Sequence, residues 1–383
     1  MLQKTDILII GGGIAGCIAA ISLADKYRIT IVDKLLQPLD RVGESLAPAS
    51  QRIFKKLNIL ENEPEEVKQQ LFIHNLGMQS YWGSNQVQFV DHLRNPDGAS
   101  LSLDRKNFES YLRNVVTQYK VNCLWGYRYQ SNNYENSAWN ITVKSDNKHQ
   151  RETQNISAKL VIDATGRNSH FTRSLGVNRT YLDTLVSCWI SLPNKEINGM
   201  STIVSDKLGW WYSAVVPNNK RILSFQTDPD LVDRATFKNK ENFLKLIETN
   251  TVMKQLIQSV SLEAINFHGT VSANSTQLDT AAGNQWIALG DAAISFDPLS
   301  SQGMFNAMAC AMQVKELLDL YNFIEDNTTA SKEAFSNAYN QQINTIWKHY
   351  LKHKNLFYKI ENRWKDAPFW NRRKQVILKP ETI

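Results

Sequence analysis

An apolar run that ends in glycines constrains this chain more than any other feature. Asp6-Ile7-Leu8-Ile9-Ile10 leads directly into Gly11-Gly12-Gly13-Ile14-Ala15-Gly16. A short apolar run bounded by turn residues reads as a buried parallel strand. The glycines then open a helix, predicted over 14–25, with Ile14, Cys17, Ile18 and Ile21 on its apolar side. Gly11 permits the tight turn, Gly13 lets backbone approach a pyrophosphate, and Gly16 lets the helix close on the strand, with Ala15 between them. The helix N-terminus offers free N–H groups and a positive dipole end to phosphate. A second strand, 28–32, ends at Asp33-Lys34, where an acid is placed to bond ribose hydroxyls. Strand, turn, helix, strand and acid all fall within the span of about 30 residues that a dinucleotide-binding unit requires.

Two later motifs narrow the ligand. The apolar stretch 159–162 runs into Asp163-Ala164-Thr165-Gly166-Arg167, and a glycine after a strand lets backbone approach a ligand. Trp286-Ile287-Ala288-Leu289 runs into Gly290-Asp291. An acid at a strand's carboxyl end lies where open α/β sheets bind ligands, suited to a ribityl hydroxyl or to helix capping. Pro298-Leu299-Ser300-Ser301-Gln302-Gly303 then precedes a helix predicted over 304–321. The start of that helix supplies backbone donors suited to a ligand edge that gains negative charge, with Pro298, Gln302, Gly303 and Met304 as the candidate contacts there.

These three motifs, in this order, resemble the FAD-dependent aromatic hydroxylase superfamily with the para-hydroxybenzoate hydroxylase fold, over nearly the whole chain. The resemblance implies an α/β (α+β) fold. A Rossmann-type FAD domain (1–70, 102–178 and 275–325) would interleave with a mixed β-sheet substrate domain (71–101 and 179–274), followed by a helical segment over 326–383. It also implies a cofactor contact for Arg105, in Leu103-Asp104-Arg105-Lys106-Asn107-Phe108; a solvated helix-start charge is the other reading.

Gly43-Glu44-Ser45-Leu46-Ala47-Pro48 and the tail Glu361-Asn362-Arg363-Trp364 resemble the tryptophan halogenase branch. Gly43, Glu44 and Ser45 are thereby candidate flavin contacts. Two departures disfavour halogenation. In Trp210-Trp211-Tyr212-Ser213-Ala214-Val215-Val216-Pro217, Tyr212 and Ala214 stand where that branch carries two spaced tryptophans. The stretch 71–84, where the relay lysine is expected, has no lysine. Gly-Glu-Ser-Leu-x-Pro and Ser80-Tyr81-Trp82-Gly83-Ser84 instead resemble the maturation flavoproteins of cysteine tryptophylquinone-dependent glycine and lysine oxidases. That resemblance implies hydroxylation of a tryptophan in a precursor protein, using O2 and an electron donor. The single dinucleotide fingerprint goes to FAD, so electrons would come from transiently bound NAD(P)H or from a partner's reduced flavin.

A tryptophan indole is electron-rich enough to take oxygen from such a cofactor, while the protein must orient it and exclude water. The substrate pocket is expected between the flavin and a sheet from 71–101 and 181–227, with His74, Tyr81, Trp82, Trp210, Trp211, Tyr212, Phe296 and Pro298 facing it. His74, Glu44, Tyr81 and Trp211 are the catalytic candidates; His74 is chosen because histidine is the residue type suited to acid/base work, and core packing is the other reading of each aromatic. Alternatives from other classes are a hydroxylase or halogenase of a free small aromatic, a non-catalytic flavin-bound chaperone, and a geranylgeranyl-type reductase.

The remaining sequence sets bounds. No apolar run reaches the length of a bilayer span, and no secretory leader pattern is visible. Cys17, Cys123, Cys188 and Cys310 are widely spaced, as expected of reduced thiols in a cytoplasmic protein, and no histidine spacing suggests a metal. Net charge is +6, with basic residues concentrated from Lys348 to Lys374 among aromatics. A helix with aromatics inward and lysines outward accounts for that pattern without nucleic acid, and a protein-docking surface lies between the two readings. Loops are expected over 131–136, 147–155 and 326–331, which are rich in Asn, Ser and Thr.

Overall fold

The computed structural model describes residues 2–91, 95–145, 152–196, 199–326 and 328–374. Its first layer is an eight-stranded sheet with a parallel centre. Leu2–Ile10 lies between Thr153–Asp163 and Ile29–Asp33; Val121–Trp125 continues one side, and Trp286–Ala288 followed by Ala282–Gly283 the other. The register places Ile10 beside both Asp163 and Val32, and Asp163 beside Ala288. The carboxyl ends of these strands therefore share one edge, where an open α/β sheet binds its ligand. All three sequence motifs begin at that edge.

The helix Ile14–Leu23 is buried on nearly every side, because Arg105–Thr117 and Gly303–Leu320 pack against it. A one-faced apolar pattern was the expectation; cover from the sheet and from helices makes the helix apolar all round. The observed ends of this helix and of Gly303–Leu320 lie within two residues of those read from sequence.

One expected loop, 131–136, is almost wholly strand, and the last three residues of another, 326–331, are helix. Residues 131–135 belong to the strand Tyr127–Glu135, which pairs antiparallel with Ala138–Ser145 and through it joins Thr153–Asp163. Its residues alternate in exposure at the sheet's edge, which is why its composition is polar. The long helix begins at Thr329, capped by Thr328 Oγ1 accepting from the Ser331 N–H at 3.3 Å. Of 147–155, only the last residues are described, and from Thr153 they are strand.

The second layer is a seven-stranded mixed sheet. Its order is Asn266–Ser272, Val186–Pro193, Lys220–Thr227, Gly209–Val216, Ser201–Asp206, Gly77–Tyr81 and Gln88–Asp91. Alternation divides its side chains between two faces. Trp211, Phe225, Cys188 and Leu223 bury against helices Lys240–Glu248 and Thr251–Ile257. Trp210, Ile203 and Tyr212 face the other way, where Trp82, Tyr358 and Trp370 join them. The C-terminal helices Thr329–Ile360 and Pro368–Lys374 thus complete a core of the second sheet. No helix among the described residues is long and apolar enough to cross a membrane.

Candidate functional site

The glycine turn is built by close approach. Gly11 has φ +116°, and a Cβ there would lie 2.2 Å from the Ala164 carbonyl oxygen; at Gly16 it would lie 1.9 Å from that of Gly11. At Gly13, the helix N-cap, a Cβ would meet nothing within 4 Å. The turn is therefore closed on the protein side and open where a pyrophosphate would approach. Gly290, at φ +61°, sits between the methyl groups of Ala307 and Ala15, so the first and third motifs are in contact.

Asp33 lies beside this turn. Its Oδ2 accepts from Gly12 N–H at 2.7 Å and its Oδ1 from Leu35 N–H at 2.7 Å, while Arg113 pairs with it at 3.1 Å. A carboxylate offers about four acceptor sites, so a ribose hydroxyl still has one. Lys34 is exposed. Arg113 escaped the sequence reading: its Nε donates to the Gly12 carbonyl at 3.0 Å, and its guanidinium stacks over Trp125 at 4.4 Å. Only the register of Arg105–Thr117 against the turn reveals it.

Arg105 points at the Gly43 loop. Its Nη1 donates to the Gly43 carbonyl at 2.7 Å, its Nη2 reaches Glu109 at 2.5 Å, and its Nε is buried without a partner. Glu44 is 2 % exposed and its Oε2 accepts from Gly43 N–H at 3.0 Å. Burial pushes the Glu44 carboxyl up, opposed by nearby Arg105. The Tyr212 hydroxyl faces Ser45 and Ser201, and burial raises it too, with Glu44 adding to the effect. Tyr212 thus ties the second sheet to the Gly43-Glu44-Ser45 loop.

In the second motif the acid is engaged within the turn while the glycine stays open. Asp163 is fully buried; its Oδ1 accepts from Thr165 N–H at 3.0 Å and Thr165 Oγ1 at 2.6 Å, and its Oδ2 from Thr172 N–H at 2.8 Å and Thr172 Oγ1. With both oxygens engaged it organises the turn. Ala164 packs over Gly11, while Gly166 presents open space where a Cβ would be. Arg167 clamps the neighbouring loops, donating to the carbonyls of Asn274 at 2.5 Å and Phe296 at 2.9 Å, and lies 3.6 Å from half-exposed Asp291. Asp291 remains accessible at the sheet edge. Beyond it, Asp297 Oδ1 accepts from Leu299 N–H at 3.0 Å, shaping the Pro298–Ser300 turn. Gln302, Gly303 and Met304 begin the helix, where N–H groups have no intrahelical carbonyl. A Cβ at Gly303 would meet nothing within 4 Å. Open backbone at Gly13, Gly166 and Gly303, and an accessible acid at Asp291, suit an extended dinucleotide such as FAD.

The expected aromatic pocket is filled. Trp82 packs edge-on against Trp210, Tyr358 and Trp370 at ring distances of 5.3–6.2 Å. Trp211 lies on the opposite face of the sheet, 4.3 Å from Phe225, and Tyr81 packs on that face as well. His74 is exposed on the small sheet with Ser100–Leu103, its ring 5.9 Å from Phe72. Phe296 is buried against Tyr350 at 4.6 Å. The correction has a physical cause: the C-terminal helices bring Tyr358 and Trp370 into the space that sequence left open.

Open space lies against the C-terminal helix instead. A cavity of about 560 Å3 runs between the 297–306 segment and helix Thr329–Ile360, with Leu299, Phe305, Ile346 and Phe357 among its apolar walls. Asp297, Tyr350 and Lys354 form a buried polar floor. Lys354 Nζ donates to Asp183 at 2.5 Å and to Ser275 Oγ at 2.7 Å, and Tyr358 donates to Asp297 Oδ2 at 2.7 Å. Burial raises the Asp297 carboxyl, opposed by Lys354, whereas Asp183 is held below the usual range against its own burial, chiefly by Lys354. His349 and His353, one turn apart with rings 4.5 Å from each other, also line the cavity. None of these C-terminal residues carries a local motif.

Comparison with known proteins agrees with this geometry. The chain is 27% identical over 378 residues to a Marinomonas mediterranea protein described as an FAD-dependent oxidoreductase, LodB, covering 97% of each. Among solved structures, the flavin-dependent halogenase CmlS superposes with a TM-score of 0.80 at 20% identity, covering 97% of this chain and 68% of that one. The peptidyl tryptophan dihydroxylase QhpG, essential for tryptophylquinone cofactor biogenesis, superposes at 0.77 with 20% identity, over 97% and 79%. These likenesses match the hydroxylase and halogenase type of fold expected from the three motifs. The FAD binding domain family matches residues 4–322, which span all three motifs and the loop at Pro298. The chain therefore belongs to the FAD binding domain family, and it is a flavin-dependent enzyme whose cofactor is FAD.

Proposed function

We propose that the chain is an FAD-dependent monooxygenase that hydroxylates a tryptophan of a partner protein, the precursor of a quinone-cofactor amino-acid oxidase of the glycine or lysine oxidase type, during tryptophylquinone formation. The cavity carries this reading. Its 560 Å3 exceed what one indole needs, it opens to the surface, and it borders the loop that leads to the flavin's helix start. End-to-end likeness to LodB, and a fold shared with a peptidyl tryptophan dihydroxylase, support the same assignment.

When bound, FAD supplies the oxygen-transfer chemistry with O2 and an electron donor. The chain's own residues bind and orient. The turn at Gly13 and the start of Ile14–Leu23 hold the phosphates, Asp33 a ribose, Asp291 a ribityl hydroxyl, and Gly303 and Met304 the pyrimidine edge. Arg105 fixes the Gly43-Glu44-Ser45 loop. Phe305 and Phe357 flank an aromatic ring in the cavity while Asp297 and Tyr350 present polar groups beneath it. His349 and His353 stand where a proton can be taken or returned, a better position than that of exposed His74 or of Tyr81 and Trp211 behind the sheet. Glu44, buried beside Tyr212, serves the flavin loop. Halogenation by a lysine relay is disfavoured, because Lys354, the lysine lining the cavity, is already held by Asp183 and Ser275.

The test is co-expression of the chain with a precursor of a tryptophylquinone oxidase of the glycine or lysine oxidase type, followed by intact mass and a tryptic map of that precursor. Oxygen gained on one tryptophan only when this chain is present is the expected result. An unmodified precursor bound tightly to the chain indicates a chaperone. An unmodified, unbound precursor with activity on free indoles indicates a small-molecule hydroxylase or halogenase.

A further inference from the structure

The basic tail divides into two sets. Lys354, Arg363 and Arg373 point inward and pair with Asp183, Glu361 and Asp228, and exposed Arg372 is paired with Asp230. Lys352 and Lys359 are exposed on helix Thr329–Ile360, with no ion pair to any described residue. Lys352, Leu356, Lys359 and Ile360 follow the i, i+4, i+7, i+8 spacing of one helix face. Leu356, Phe357 and Ile360 are 52%, 49% and 53% exposed, although large apolar side chains gain from cover. Phe357 also lines the cavity, so apolar ridge and cavity mouth are continuous. A free small aromatic would fill the cavity and leave the ridge bare; a polypeptide would cover both.

Resting on the protein-substrate reading above, we infer that this ridge docks an acidic segment of the partner polypeptide, adjacent in sequence to the aromatic residue that enters the cavity. Two unpaired lysines flanking exposed Leu356 and Ile360 match a segment that alternates carboxylates with apolar residues. Rim charges of this kind steer encounter and make association sensitive to salt. Apolar contacts at Phe357 then seat the aromatic.

Fluorescein-labelled synthetic peptides test this on the FAD-loaded chain, by anisotropy and without turnover. One peptide carries a tryptophan among Asp, Glu and Leu; a second replaces Asp and Glu by Lys; a third replaces the tryptophan by Ala; a single-stranded oligonucleotide is the fourth probe. The acidic tryptophan peptide should bind, and should weaken by at least about tenfold on Lys352→Glu/Lys359→Glu and between about 50 and 300 mM salt. Phe357→Ala should remove the advantage of tryptophan over alanine. Equal binding of the acidic and lysine peptides, no binding of either, unchanged affinity in the double variant, or preference for the oligonucleotide each overturns the inference. Oxygen transfer to the precursor is read separately by mass. Docking that survives without transfer overturns the monooxygenase reading alone, and transfer without charge-dependent docking overturns the ridge alone.

Discussion

Gly13→Ala and Gly16→Ala separate ligand space from packing space within one turn. At Gly13 the backbone is extended, φ −85° and ψ −169°, which alanine adopts freely, and its Cβ would meet nothing within 4 Å. The apo fold should therefore change by no more than about 0.5 kcal/mol. If the FAD pyrophosphate approaches there, the methyl occupies the space it needs. FAD should then bind at least about tenfold more weakly, about 1.4 kcal/mol. At Gly16 the Cβ would lie 1.9 Å from the Gly11 oxygen. Carbon–oxygen contacts settle near about 3.3 Å, so helix and strand must part by more than about 1 Å. Overpacking of that kind costs about 1–3 kcal/mol or more, against the gain of about 1 kcal/mol that alanine brings to a helix interior. Urea unfolding of the apoprotein and FAD titration by flavin fluorescence read the two effects independently. Unchanged FAD affinity in Gly13→Ala would refute the phosphate assignment, and unchanged apo stability in Gly16→Ala would refute the packing argument.

Four further outcomes follow from named contacts. Asp163→Ala strands the donors of Thr165 and Thr172 and should destabilise the apoprotein by about 3 kcal/mol or more; if apo urea midpoints are unchanged, Asp163 is a ligand contact instead. Arg373→Met leaves Asp228, 1 % exposed, short of a buried partner. It should cost about 3–5 kcal/mol by urea unfolding, largely restored by adding Asp228→Asn. Glu361 is held at about 2 by Arg363, Ser205 and Gly83 despite burial, below its ordinary 4.5. Its contribution is therefore complete above pH 4.5 and lost as pH falls toward 2, so Glu361→Gln should flatten the stability slope in that window. Glu44 has the opposite sign: burial raises its folded value, so stability falls as pH rises through the ordinary carboxyl range. Glu44→Gln should remove that fall and retain FAD; loss of FAD would show that the ionised carboxylate is required.

The three FAD motifs were readable because the chemistry of each is local. A strand that ends in glycine, an acid at the next strand's end and a helix opening after Pro298 each need only neighbours in sequence. Parallel register then gathers them, since Ile10, Val32, Asp163 and Ala288 end level. Asp163 shows the limit of such reading. Its position beside the ligand edge was evident, but its saturation by Thr172 depends on how the following helix turns back.

The aromatic core and the cavity were not local. Trp210 and Trp211 are adjacent in sequence, yet strand alternation sends one toward Tyr358 and the other toward Phe225 and Phe243. Tyr350, Lys354 and Tyr358 look from sequence like positions of a basic aromatic helix. They become a polar cavity floor only because that helix lies against Asp297 and Asp183. Sequence alone determined an FAD fold and the strand-end turns of its three motifs, because hydrogen bonding and sterics within a strand–turn–helix set those positions over short separations. Tertiary packing decided which aromatics fill the core, which lysines are paired and where the open cavity lies, because each depends on contacts between residues far apart in the chain, and no local pattern encodes those contacts.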